Sequence, residues 1–149
     1  MPPNTTEPHG LGFVMIDKVG VYYASDTVTI RPRTGFLVWL NFSLIHWFSN
    51  KNIIVESSRF GSEFVAMNQC YDYLRGIRYN LRMMVIPCDG PSYIEGDNKY
   101  VLANTTIPGY ALNKKNKHIA YHFLREGYYF GEWRTIYVNT HYNEAYLLK

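Results

Sequence analysis

The chain has 149 residues, 47% of them hydrophobic, and a formal charge of +3 at neutral pH. That is the length of one domain, with enough apolar side chains for a single packed core, so disorder is not the default expectation. No apolar run approaches the ~18 residues of a membrane-spanning helix, and the slight positive charge permits a polyanionic partner without requiring one.

In chain order, residues 1–10 read as a flexible, proline-bearing tail and residues 11–149 as the folded domain. The start, Met1-Pro2-Pro3-Asn4, carries neither the basic nor the apolar stretch of a secretory signal, so an intracellular location is expected. Glycosylation sequons at Asn4, Asn41 and Asn104 then read as chance matches. Residues 12–16 and 19–23 are β-prone, with a turn expected at Asp17-Lys18. Residues 34–40 and 44–49, rich in β-branched and aromatic side chains, read as a hairpin turning at Asn41-Phe42-Ser43.

Ser57 or Ser58 can cap the next helix. Phe64, Met67, Tyr71, Leu74, Ile77 (or Arg78), Leu81 and Met84 recur at helical spacing from Phe60 to about Met84. Pro87 and the Asp89-Gly90-Pro91 turn close that helix. A short strand at 92–95, a short helix at 99–104, a helix from Lys114 to about Glu126, a strand at 132–138 and a last helical start at 143–148 follow. An initial meander followed by strands alternating with helices is the pattern of a mixed sheet with helices on its faces. Cys70 and Cys88 are too few for a disulfide framework and read as buried thiols.

Several stretches are distinctive together. They are Arg33-Thr34-Gly35-Phe36, Ile45-His46-Trp47-Phe48-Ser49, the run from Glu56-Ser57-Ser58 to Glu63-Phe64-Val65-Ala66, and Gly96-Asp97-Asn98. The later ones are residues 118–126, Tyr137-Val138-Asn139-Thr140-His141, Asn143-Glu144-Ala145 and Leu147-Leu148. In order and spacing the chain, from about residue 19 to its end, resembles the ribonuclease H domain of copia-type LTR retrotransposon polyproteins. The resemblance implies a ribonuclease H-like fold, an α/β (α+β) five-stranded mixed sheet flanked by helices. It also implies cutting of the RNA strand of an RNA/DNA hybrid with two Mg²⁺ ions held by four acidic residues. In such chemistry one metal activates the attacking water and the other stabilises the leaving oxygen, about 4 Å apart. Mg²⁺ takes carboxylate oxygens and retained waters, so the pair needs several negative charges around it.

Carried over residue by residue, the helix carboxylate of the family falls on Glu63 and the carboxylate after the fourth strand on Asp97. The first-strand position lies in a family motif Asp-Ala-Asp-x-Ala-Gly-Asp, aligned here with Gly20-Val21-Tyr22-Tyr23-Ala24-Ser25-Asp26, and falls on Gly20. The fourth falls on Tyr146. His141 stands where ribonucleases H often carry a histidine that aids product release. Two of four metal carboxylates are therefore replaced. Glu63 and Asp97 alone are expected to hold Mg²⁺ weakly or not at all. Asp17 could substitute for the lost first Asp only through a three-residue slip, an odd number that needs a bulge.

Other candidates have plainer alternatives. Lys114, Lys115, Lys117 and Arg125 form a basic patch that could neutralise phosphates or be a solvated face. Arg75, Arg78 and Arg82 line the long helix and could contact phosphates or snorkel. His118 and His122 are spaced as zinc ligands can be, without a third ligand in view, and read as polar helix residues. Trp39, Trp47 and Trp133 read as core. Two functions follow: a hybrid-cutting ribonuclease with Glu63, Asp97 and His141, or a non-catalytic nucleic-acid-binding or protein-interaction module on the same fold.

Overall fold

The structure, a computed structural model, describes residues 14–22, 32–52, 59–86, 88, 90–106 and 118–148. The elements are β1 (Met15–Tyr22), β2 (Arg33–Leu40), β3 (Ser43–Lys51), α1 (Arg59–Met83), β4 (Ser92–Gly96), α2 (Lys99–Thr106), α3 (His118–Tyr129) and β5 (Trp133–Tyr137). Two 3₁₀ turns, Thr140–Tyr142 and Glu144–Leu148, close the described chain.

The five strands form one sheet in the order β3-β2-β1-β4-β5. The β1–β2 and β2–β3 pairs are antiparallel, whereas β1–β4 and β4–β5 are parallel. Mixed character follows from connectivity: a two-residue turn joins β2 to β3, but the parallel pairs need helical crossovers. Asn41 takes φ 55 in that turn, a conformation asparagine tolerates, and its side chain accepts from Val14 N at 3.0 Å. Ile45 is the extra residue of a bulge, since Val38 pairs with His46 but Trp39 with Leu44.

One sheet face carries the core. Met15, Val19 and Val21 of β1 and Phe36 and Val38 of β2 meet Phe64, Met67, Tyr71 and Leu74 of α1. Tyr121 and Leu124 of α3 and Trp133 of β5 complete it. The opposite face is crossed by the C-terminal 3₁₀ turns, seated on the facing glycines Gly20 and Gly35.

The expected turn at Asp17-Lys18 does not form. β1 runs through it, because as the central strand it pairs with β2 on one side and β4 on the other. Asp17 points into the core at 0% exposure. One further expectation is corrected and one open choice is decided. Trp47 is 64% exposed on the edge strand, while Trp133 is fully buried. The position left open between Ile77 and Arg78 goes to Arg78, whose buried guanidinium donates to the carbonyls of Gly90 and Cys88 and to Ser92 Oγ at 2.9–3.1 Å. Cys70 and Cys88 are buried free thiols, as expected. The proposed cap at Ser57 or Ser58 and the Lys114, Lys115 and Lys117 patch lie outside the described residues. No helix among the described residues is long and apolar enough to cross a membrane.

The end of α1 carries backbone strain. Val85 N donates to Arg82 O and Ile86 N to Leu81 O, both at 2.9 Å, a helix stop that places Val85 at φ 59. A β-branched side chain is poorly tolerated there, and Val85 is exposed, so its side chain contributes little packing. Val85→Gly is expected to stabilise the protein by about 1 kcal/mol. The check is a urea midpoint that rises at unchanged m-value.

Candidate active site at the β1, β4 and α1 junction

Three elements converge at one end of the core. Glu63 lies in the second turn of α1 and is 6% exposed. Asp97 follows the last residue of β4, where the strand ends and the chain turns into α2. The two carboxyls, with Gly20, line a cavity of about 20 Å³, whose walls include Val19, Val21, Met67, Ile94, Asn98, Val101 and Leu102. That volume suits about one water molecule.

Each carboxylate already has partners. Arg59 Nε donates to Glu63 Oε1 at 2.9 Å, one helical turn away. Asp97 Oδ2 accepts from Thr140 Oγ1 at 2.9 Å and from the Tyr146 hydroxyl at 2.7 Å. Glu63 Oε2 is buried without a well-formed hydrogen bond, although Asn98 stands near enough to favour its charged form. Burial pushes the Glu63 carboxyl above the usual carboxylate range; the Arg59 hydrogen bond opposes this and the Asp97 charge adds to it. Burial, then donation to Asp97, raises the Tyr146 phenol as well.

The C-terminal segment is tied in at further points. Asn143 Nδ2 donates to Val19 O at 2.8 Å from a buried position, and Lys18 Nζ lies 3.0 Å from Glu144 Oε1. A Cβ on Gly20 would stand 3.2 Å from Ala145 Cβ, and one on Gly35 would stand 3.3 Å from Leu148 Cβ. The anchoring by Asn143 was missed in the sequence, where it stood only as part of a matching stretch. A buried polar side chain in a C-terminal turn gives no local signal of its partner 124 residues away.

The four aligned positions thus meet: Gly20, Glu63 and Asp97 at the cavity, and Tyr146 on Asp97. His141 is exposed in the 3₁₀ turn that begins with Thr140, beside the Asp97 contact. Asp17 is not at the cavity. Its side chain shares the core face with Val19 and Val21, which do line the cavity, but it sits one pleat further back along β1, and no bulge brings it forward. Arg125 is engaged internally: its Nε donates to Asn104 O at 3.1 Å and its guanidinium lies 4.1 Å from the Tyr121 ring centre.

No family model and no curated protein sequence matches the chain. Solved structures do resemble it. RNase H1 from the halophilic archaeon Halobacterium salinarum NRC-1 superposes with a TM-score of 0.59 at 14% identity, covering 89% of each chain. LC11-RNase H1, solved in complex with an RNA/DNA hybrid, gives 0.62 at 11% identity over 91% of this chain and 92% of that one. The protease-reverse transcriptase of prototype foamy virus gives 0.53 at 13% identity over 92% of this chain and 19% of that one. The fold is that of the ribonucleases H.

On the ribonuclease H fold, the donor set faces the two-Mg²⁺ expectation that the sequence resemblance implies. The cavity offers two carboxylates where two closely spaced Mg²⁺ ions need several. Gly20 supplies no ligand, and Tyr146 presents a protonated hydroxyl directed at Asp97. Glu63 Oε1 is held by a guanidinium. Among the described residues no group of three or more His, Cys, Asp or Glu side chains could hold a metal. The described residues at the cavity do not fit a two-metal centre.

Proposed function

We propose that the chain is a retrotransposon-derived ribonuclease H-like domain that engages RNA/DNA hybrids inside the cell and is impaired in cutting them. The observation that carries this is the Tyr146 hydroxyl on Asp97 Oδ2: a phenol stands where the resemblance expects a fourth carboxylate, and it takes an oxygen that a metal would need. The fold supports hybrid engagement, since a neighbour with the same fold was solved with a hybrid bound. Lys114, Lys115 and Lys117 are the proposed phosphate contacts, and His141, at the site rim, is the proposed residual product-release group.

The test is cleavage of a labelled RNA/DNA hybrid in Mg²⁺ or Mn²⁺. The wild-type chain and Glu63→Gln are expected to be equally inactive, so cleavage that Glu63→Gln abolishes would end the impaired reading. Gly20→Asp with Tyr146→Asp is expected to restore cutting by orders of magnitude, because it returns two charges to the site. The Gly20 change requires Ala145 to give way by a few tenths of an ångström, so Gly20→Ala with Tyr146→Phe controls for the displacement. Hybrid affinity should fall with salt along a linear log–log slope that Lys114→Ala reduces by about 1.

A second reading, a protein-interaction module, is favoured by Phe42 and Trp47, 98% and 64% exposed on and beside edge strand β3. Absence of any salt-dependent hybrid binding would select it.

A further inference from the structure

We propose that Arg59 and Tyr146 have taken over the two site carboxylates, turning a metal centre into a metal-free latch that holds the C-terminal segment and is closed to divalent cations.

One oxygen of each carboxylate carries the contacts. Glu63 Oε1 carries the Arg59 guanidinium at 2.9 Å. That guanidinium is also within electrostatic reach of Asp97 and Tyr146, so it is the positive charge shared by the whole centre. Asp97 Oδ2 carries two hydroxyl donors, Thr140 at 2.9 Å and Tyr146 at 2.7 Å. A divalent ion that took the partnered oxygens would displace a cation from one carboxylate and two donors from the other, and avoiding them leaves it a single oxygen on each. It would also shed part of a tightly held water shell and gain no other carboxylate in return. Buried or half-buried ions are stable only when paired and hydrogen-bonded, and the protein supplies those partners itself.

Both donors on Asp97 come from the C-terminal segment, so the same contacts pin that segment to the end of β4. The attachment matters because the segment is short. It is two 3₁₀ turns with Asn143 and Ala145 as its only buried residues, so little apolar burial holds it down. Hydrogen bonds to a charged acceptor are among the stronger single contacts available.

The latch extends the impaired reading above but is tested without nucleic acid, so either can fail alone. Mn²⁺ by itself is titrated against the full chain and followed by water-proton relaxation. Wild type is expected to show no saturable binding up to about 1 mM, and its melting temperature should be indifferent to EDTA. Arg59→Ala with Tyr146→Ser should gain saturable Mn²⁺ binding of at least about tenfold higher affinity, and adding Glu63→Gln should abolish the gain. Tyr146→Phe removes one oxygen and should leave the fold intact, while amide exchange across residues 140–148 accelerates by about tenfold. Saturable Mn²⁺ binding by wild type that Glu63→Gln removes would overturn the proposal. So would unchanged exchange across 140–148 in Tyr146→Phe, which guards against misfolding of the double variant.

Discussion

Asp17→Val is expected to raise stability by roughly 3 kcal/mol near neutral pH and by clearly less near pH 4. Asp17 is fully buried on the core face of the central strand, and among the described residues neither carboxyl oxygen has a hydrogen-bond partner. Burial holds its pKa well above the usual carboxylate value. Below the carboxylate range of the unfolded chain, both states are protonated and the group costs nothing electrostatically. Above it, the unfolded chain releases the proton and the native state retains it. Wild-type stability is therefore lost as pH rises from the unfolded value toward the native one, by up to about 1.4 kcal/mol per pH unit. Burial raises Glu63 and Glu95 with the same sign, so removing Asp17 flattens the profile without abolishing its slope. Urea titrations at several pH values check this. Asp17→Asn should match wild type near pH 4 and exceed it at pH 8, whereas a profile as steep as wild type would place the proton elsewhere.

Gly127→Ala is expected to cost about 3 kcal/mol or more, the upper range of overpacking. Gly127 is inside α3, and a Cβ there would overlap the Tyr71 hydroxyl and ring, with Trp133 Nε1 2.9 Å away. Neither ring can retreat cheaply. The Tyr71 hydroxyl donates to Glu132 Oε2 at 2.5 Å, and Trp133 Nε1 donates to Leu124 O at 3.0 Å. Thermal melts of Gly127→Ala and of Gly127→Ala with Tyr71→Leu provide the check. The second change makes room and should recover part of the loss; equal instability of both would show that the clash is not with Tyr71.

The contrast between these two residues shows where local reading stops. Asp17-Lys18 looks like a turn because aspartate and lysine disfavour strands in isolation. Pairing with Val38 on one side and Ile94 on the other overrides that preference, and both partners are distant in sequence. Gly127 lies just past the expected helix end at Glu126, yet α3 continues to Tyr129. Its missing side chain serves a crossing of three aromatic or helical elements that nothing nearby in the sequence announces. Trp47 failed as a core expectation for a related reason: β-period alternation identifies a strand, but not whether that strand's second face will be covered.

The sequence by itself determined the order of the elements, the type of most of them between β2 and β5 and the apolar face of α1, and by resemblance it aligned Glu63 and Asp97 with Gly20 and Tyr146. The elements and the apolar face depend on periodicity and turn-forming residue types, which are local, whereas the alignment is what the family resemblance implies. Only the tertiary structure decided what stands around the carboxylates. The Tyr146 hydroxyl reaches Asp97 across 49 residues, and Asn143 reaches Val19 across 124. Contacts of that range depend on how the C-terminal turns sit on the Gly20–Gly35 floor of the sheet, a three-dimensional fit that no window of sequence contains.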